Sequence, residues 1–234
     1  MKKLFIIANW KSYKTETEAI KWLQEFQLSN FGSSPEGDKL PISNGGEGEN
    51  KEIIICPPVT LLSPMREYID EHTLPITLGA QNISPFDEGR YTGEINGKQI
   101  KEFAKYVIIG HSERRDNFDE TNELLVKKVA MANKYELIPI FCIQGKETNI
   151  HIESGIVAYE PVAAIGSGNP DTPEDAQKIA FGVKEKNAAL AIVYGGSVTS
   201  ENVNSFTSQS AIHGVLVGGA SLDPQEFSQI IKNA

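Results

Sequence analysis

Residues 154–175 read SGIVAYEPVAAIGSGNPDTPED, and this stretch predicts one complete strand–loop–helix unit. It begins with a short apolar run, Gly155–Tyr159, which is typical of a parallel strand that is covered on both faces. Glu160 closes the run, and a glycine-punctuated loop follows. Thr172–Asp175 then predicts the start of a helix, because it offers a hydroxyl cap, a proline in the first turn and early acids.

Similar apolar runs recur along the chain at Lys3–Asn9, Glu52–Cys56, Ile76–Ala80, Tyr106–Gly110, Ile138–Ile143, Ala189–Tyr194 and Gly214–Val217. Amphipathic stretches lie between most of them, such as the helical stripe of Ala19, Ile20, Leu23 and Phe26. Strands that alternate with helices form either a closed barrel or an open doubly wound sheet. The glycine pattern of a dinucleotide-binding first turn is missing after the first run, which favours the barrel. We therefore expect residues 1–234 to form one α/β domain, a βα barrel of eight parallel strands.

Two places interrupt this rhythm. Ser29–Asn50 is rich in Gly, Ser, Pro and acids, and predicts a flexible surface insertion on the face of the barrel away from the chemistry. Gln144–Glu153 is at the lower limit of length for a crossover that contains a helix. We expect one irregular turn there, with Ile150 and Ile152, or a neighbouring subunit, covering the exposed flank.

Composition excludes several classes of function. The net charge of −9 argues against nucleic acid and acidic membranes as partners, so an anionic substrate has to be captured by local donors. The apolar run Leu4–Ala8 is too short for a signal peptide or a membrane span, which predicts a cytoplasmic protein. Cys56 and Cys142 lie in apolar runs without metal spacing, so we expect buried, reduced thiols and neither a metal nor a cofactor.

The residues that can carry chemistry follow the strands, and the working groups of a βα barrel gather at that end. These strand ends are Asn9-Trp10-Lys11, Gly110-His111-Ser112-Glu113, Glu160, Tyr194-Gly195-Gly196-Ser197 and Gly218-Gly219-Ala220-Ser221. Singly, each has an ordinary structural explanation. Together they place a base, an electrophile, a cation and amide-rich loops around one mouth.

Motifs in the same order along the chain extend this pattern. They are Ala8-Asn9-Trp10-Lys11, Gly79-Ala80-Gln81-Asn82, Tyr91-Thr92-Gly93-Glu94, Gly110-His111-Ser112-Glu113-Arg114-Arg115, Ala158-Tyr159-Glu160-Pro161-Val162, Tyr194-Gly195-Gly196-Ser197-Val198 and Gly218-Gly219-Ala220-Ser221-Leu222. In these motifs the chain resembles the triosephosphate isomerase family from Phe5 to Ala234. The resemblance implies a glycolytic and gluconeogenic enzyme that interconverts dihydroxyacetone phosphate and D-glyceraldehyde 3-phosphate without a cofactor.

The resemblance also implies catalytic roles for named residues. Glu160 is expected to move the proton between neighbouring carbons. His111 is expected to stay neutral and to donate a hydrogen bond to the developing enediolate, because the helix start predicted at Ser112–Asn117 disfavours an imidazolium. Lys11 is expected to stabilise negative charge while Asn9 orients the oxygen, and Glu113, by the family pattern, supports the lysine. We expect Asn9 and Lys11 to contact the substrate as well.

Phosphate is expected to bind Gly166, Ser197, Gly218 and Gly219, where backbone amides can approach an anion closely. The family pattern makes Pro161–Gly168 a lid over the site, although Ala163 stands where the family usually has tryptophan. Gln81–Glu94 corresponds to the segment that enters a partner subunit, which predicts a homodimer. Two alternatives remain open: a barrel that binds sugar phosphates without catalysis, and another phosphate-binding barrel enzyme such as an aldolase.

Overall fold

The strands form one closed barrel. The computed structural model describes residues 2–31, 51–161 and 171–234, and in this part eight parallel strands pair in sequence order until the last meets the first. The strands are β1 Leu4–Asn9, β2 Lys51–Cys56, β3 Ile76–Ala80, β4 Tyr106–Ile109, β5 Ile138–Ile143, β6 Ile156–Tyr159, β7 Ala191–Tyr194 and β8 Gly214–Val217. The predicted βα barrel is therefore confirmed, although several runs were predicted one or two residues too long.

Helices pack around the outside of the barrel. In the described residues they are α1 Glu16–Phe31, α2 Leu62–Glu71, α3 Gly97–Lys101, α4 Ser112–Asn117, α5 Asn122–Lys134, α6 Pro173–Lys186, α7 Val203–Thr207 and α8 Pro224–Asn233, with 3-10 turns at Val59–Leu61 and Gly219–Leu222. The predicted start of α6 is confirmed, because Oγ1 of Thr172 accepts a hydrogen bond from the amide of Asp175 at 3.1 Å. None of the described helices is both long and apolar enough to span a bilayer.

The predicted start of the insertion was wrong. Ser29 and Asn30 belong to α1, which continues to Phe31. Asn30 is fully buried, and its Nδ2 donates to the carbonyl of Phe26 and to Oγ of Ser228 on α8, both at 2.7 Å. Packing against α8 therefore extends the helix where local composition indicated a loop. The rest of the predicted insertion, residues 32–50, lies outside the described residues.

The connection between β5 and β6 contains no helix in residues 144–155, all of which the structure describes. A turn closes it, in which the amide of Thr148 donates to the carbonyl of Gly145 at 3.1 Å. Ile152 is buried in the core and Ile150 packs against it, as expected. The prediction of an irregular turn in place of a helix is confirmed.

Side chains alternate between the inside of the barrel and the helices. On β6, Ile156 and Ala158 belong to the cluster inside the barrel, whereas Val157 and Tyr159 belong to the core under the helices. The next inward position after Ala158 is Glu160, because the side-chain period of a strand is two residues. On β1, Ile7 belongs to the cluster inside the barrel, so the next inward position is Asn9. Strand periodicity therefore aims both polar side chains into the C-terminal mouth of the barrel.

Candidate active site

Glu160 is the most buried ionisable group at this mouth. It is 1% exposed, and its amide donates to the carbonyl of Ile143 at 2.8 Å, which fixes its backbone to the end of β5. Its Oε2 accepts from the amide of Ser112 at 3.0 Å, and its Oε1 lies 3.0 Å from Nε2 of His111. These hydrogen bonds replace those that the carboxylate would make to water if it were exposed.

His111 connects Glu160 to the start of α4. Its Nδ1 accepts from the amide of Glu113 at 3.3 Å, so in the neutral ring the proton is on Nε2 and is donated to Glu160. Burial lowers the pKa of His111, but the carboxylates of Glu160 and Glu113 outweigh burial and raise the pKa above its usual value. The expectation of a neutral ring considered only the helix amides and did not include Glu160 facing the ring.

Lys11 has a left-handed backbone, with φ of 51°, which is unfavourable for a residue with a side chain. Two side chains hold it in this conformation. Oδ1 of Asn9 accepts from the amide of Lys11 at 3.1 Å. Nε2 of Gln81, from the loop after β3, donates to the carbonyls of Lys11 at 2.8 Å and Cys56 at 2.9 Å. Sequence analysis placed Gln81 in a motif and in the dimer segment but missed this contact.

The Lys11 side chain crosses the mouth between α4 and the loop after β8. Its Nζ lies 2.6 Å from Oε1 of Glu113, in a partly exposed ion pair. A methyl group at Gly218 would be 3.6 Å from Cε of Lys11, so the ammonium lies beside that loop. Oε2 of Glu113 lies 3.9 Å from Nδ1 of His111. Glu113 therefore holds the cation near the imidazole.

One cleft of about 270 Å³ joins these groups. The residues predicted for the site that line it are Asn9, Lys11, His111, Glu160, Ser197, Gly218 and Gly219. Gly166 and most of the predicted lid, including Ala163, fall in residues 162–170, outside the described residues. Every other predicted site residue either lines the cleft or, in the case of Glu113, pairs with a residue that does.

A contact three residues beyond the predicted lid, at Asp171, was not predicted from the sequence. The amide of Asp171 donates to the hydroxyl of Tyr194 at 2.8 Å, and the hydroxyl of Tyr159 donates to Oδ2 of Asp171 at 3.0 Å. Burial raises the pKa of Tyr194 to about 12, so its hydroxyl stays protonated. The only sequence signal was a tyrosine at the end of each of the two neighbouring strands.

The cleft suits a small anionic ligand that carries an oxygen next to an acidic carbon. It offers one ammonium, one imidazole donor and the amides of glycine loops, and the carboxylate lies within hydrogen-bond reach of the imidazole. In the described residues, no group of three or more His, Cys, Asp or Glu side chains is arranged to hold a metal ion.

Fold and site together define an acid–base enzyme that is built on a βα barrel. The family model described as "Triosephosphate isomerase" matches residues 4–151 and 147–234 of this chain, which together span nearly its whole length. The chain belongs to the triosephosphate isomerase family. The two matched segments meet within the shortened turn between β5 and β6.

Individual relatives agree with the family match. The triosephosphate isomerase of Dictyoglomus turgidum is 39% identical over an alignment of 266 positions, gaps included, which covers 100% of both chains. That of Mesomycoplasma hyopneumoniae is 38% identical over an alignment of 259 positions, again covering 100% of both. The crystal structure of triosephosphate isomerase from Bartonella henselae superposes with a TM-score of 0.77 at 28% identity, covering 99% of this chain and 98% of that one.

Proposed function

We propose that this chain interconverts dihydroxyacetone phosphate and D-glyceraldehyde 3-phosphate through an enediolate, with Glu160 as base and His111 as electrophile. Membership of the family supports the reaction. The observation that carries the residue roles is the 3.0 Å contact between Nε2 of His111 and Oε1 of Glu160 inside the cleft. A base and a donor this close together can reach adjacent atoms of one small substrate.

The reaction begins with an exchange of partners. The substrate carbonyl oxygen takes the hydrogen bond of His111 Nε2, and Glu160 turns from His111 to the carbon next to that carbonyl. Glu160 removes one proton from this carbon, and the electrons of the broken C–H bond form the double bond of the enediolate. Glu160 then gives a proton to the neighbouring carbon, while the proton of the substrate's hydroxyl oxygen passes by way of Nε2 of His111 to the former carbonyl oxygen. The carboxylate of Glu160 and the neutral ring of His111 are both restored at the end.

This exchange also changes the charge balance at His111. In the resting site, Glu160 and Glu113 raise the pKa of the imidazole against the effect of burial. When Glu160 turns to the substrate, its direct hydrogen bond to the ring is lost and burial has more weight. The amide of Glu113 still occupies Nδ1, which favours the neutral ring with its proton on Nε2. A neutral imidazole is therefore the electrophile in the reacting complex.

Lys11 and the glycine loops supply the positive potential that a chain of net charge −9 lacks as a whole. Lys11 and Asn9 line the cleft and would contact the oxygens at the reacting carbons. Gly218, Gly219 and Ser197 line the same cleft, so we assign the phosphate to that side. Gly166, which lies outside the described residues, remains a predicted phosphate ligand.

A coupled assay with glyceraldehyde 3-phosphate tests the proposal. The unmodified chain is expected to turn over with neither metal nor nucleotide added. Glu160→Gln keeps the shape of the side chain but removes the base, so turnover is expected to fall at least ~100-fold. An inactive unmodified chain would leave a binding barrel as the better description, and a fully active variant would show that the base is another group.

We also propose a homodimer through Gln81–Glu94. The rings of Phe86 and Tyr91 on this segment stack at 4.3 Å, and the residues are 40% and 44% exposed. Asp87 accepts hydrogen bonds from Lys134 and Tyr135, which fix this segment to α5 while its aromatic rings stay exposed to a partner. Sedimentation velocity should show a dimer that Phe86→Ser weakens, and a chain that stays monomeric at micromolar concentration would contradict this.

The two free, buried cysteines, Cys56 and Cys142, support a reducing cytoplasm as the location.

A further inference from the structure

The barrel is held together beyond the end of β4 by a side chain. Strand β4 pairs with β5 as far as Ile109 and Phe141. At the next residue, Gly110, φ is +73° and the chain turns into α4, so the ladder between the two strands ends. Arg115 on α4 reaches back over this gap. Its Nε donates to the carbonyl of Gly110 at 2.8 Å, and its Nη2 donates to the carbonyl of Cys142 at 3.2 Å.

Each clamped carbonyl belongs to a residue that adjoins either a reacting group or a residue hydrogen-bonded to one. Gly110 precedes His111 directly. Cys142 precedes Ile143, whose carbonyl accepts the amide of Glu160 at 2.8 Å. The planar fork of Arg115 therefore spans the two strand ends on which the imidazole and the carboxylate depend. Gly110 leaves room for this fork, since a methyl group there would be 2.9 Å from Nη2 of Arg115.

The positive charge of the guanidinium also interacts with Glu160. The ionisable groups that interact with Arg115 are Cys142, Glu160, Glu120 and Asp116, and all of them oppose the lowering of its pKa by burial. An arginine at this degree of burial keeps its charge. Glu160 itself accepts from the ring of His111 and from the amide of Ser112. Burial and Glu160 raise the pKa of Cys142, so Cys142 stays a thiol.

We propose that Arg115 is a positioning residue for the isomerisation. Its fork holds the ends of β4 and β5 so that His111 and Glu160 meet. This role rests on the proposed function, because it concerns the reaction that these two groups perform.

Two substitutions separate the fork from the charge. Arg115→Gln removes the charge and the fork, and is expected to lower kcat by about 10-fold or more while KM changes less than about 3-fold, because misplaced groups act mainly on the chemical step. Arg115→Lys keeps the charge but reaches only one carbonyl at a time, so kcat is expected to fall at least ~3-fold. Arg66→Gln, which removes an ion pair to Asp70 on the distant α2, is the matched control and should keep wild-type kinetics.

The readout that a merely structural role would not move is the split between kcat and KM. Thermal unfolding shows whether each variant is folded. In a folded variant, a lowered kcat with a steady KM reports that the reacting groups are misplaced while substrate binding is kept.

The outcomes are distinct. Wild-type kcat in a folded Arg115→Gln, or a fall in kcat that is matched by an equal change in KM, overturns the proposal. If Arg115→Gln does not fold, Arg115→Lys decides: lowered kcat with steady KM supports the fork, and wild-type kcat rejects it. An inactive unmodified chain refutes the proposed function itself, whereas an active chain that tolerates both substitutions refutes only the role of Arg115.

Discussion

The contact that holds Lys11 can be removed with one substitution, Gln81→Ala. The amide of Gln81 donates to the carbonyl of Lys11 at 2.8 Å and to that of Cys56 at 2.9 Å, across 70 and 25 residues of sequence. Alanine keeps the backbone and removes both donors. The left-handed backbone of Lys11 then depends on the hydrogen bond to Asn9 alone.

The size of the effect follows from these contacts. Two hydrogen bonds at about 1 kcal/mol net each predict a loss of about 2 kcal/mol in the free energy of unfolding. A left-handed backbone conformation is unfavourable by about 1 kcal/mol or more for a residue with a side chain. Without the two hydrogen bonds from Gln81, the backbone of Lys11 is therefore expected to move to a more favourable conformation. A shift of its ammonium by about 1 Å predicts a loss in kcat/KM of about 10–100-fold.

The assay is a double-mutant cycle with Lys11→Met, scored by kcat/KM and by urea unfolding. Gln81→Ala should lower kcat/KM strongly in the wild-type background and hardly at all once Lys11 is absent. Gln99→Ala is the matched control: its amide oxygen accepts from the amide of Asn96 at 3.1 Å in the cap of α3, so stability falls and activity does not. Equal losses of activity in both backgrounds would refute the assignment of Gln81 to Lys11.

Three other changes have defined outcomes. Burial, Lys184 and Lys2 lower the pKa of His213 to about 4. Because the unfolded chain binds the proton more readily, the protein should lose ~1–2 kcal/mol of stability as the pH falls from about 6.5 to 4. Urea unfolding across pH should show that this loss disappears in His213→Gln. Gly214→Ala places a methyl group 1.9 Å from the carbonyl oxygen of Phe5, at a backbone φ of +136°. It should lower the free energy of unfolding by at least ~3 kcal/mol, and a measured loss below ~1 kcal/mol would contradict this prediction. Glu113→Gln weakens the partly exposed ion pair to Lys11, and steady-state kinetics should show kcat/KM lowered about 10-fold with stability changed by less than ~1 kcal/mol.

Much of the architecture was predictable because its signals are local. A strand that is buried on both faces has to be apolar throughout, and the runs at Ile76–Ala80, Ile138–Ile143 and Gly214–Val217 were predicted with the bounds that the structure shows. The cap of α6 at Thr172 is equally local. The end of α1 was not predictable, because Asn30 is kept in the helix by Ser228, which lies 198 residues away.

The site divides in the same way. The predicted strand ends placed Glu160, Asn9, Lys11 and His111 around one mouth, and all four line the cleft. The contacts of Gln81 and Arg115 were missed because an amide or guanidinium that meets a distant carbonyl leaves no pattern in the sequence. For the same reason, the raised pKa of His111 followed only from seeing Glu160 face the ring.

The central claim is that one carboxylate in this cleft moves a proton between two carbons of a triose phosphate. Proton NMR of dihydroxyacetone phosphate in D₂O measures this directly, because the proton on the carboxyl group of Glu160 exchanges with solvent and deuterium is then delivered to carbon. The unmodified chain should label substrate and product on carbon, and Glu160→Gln should label them at least ~100-fold more slowly. Labelling by Glu160→Gln at the wild-type rate would contradict the claim.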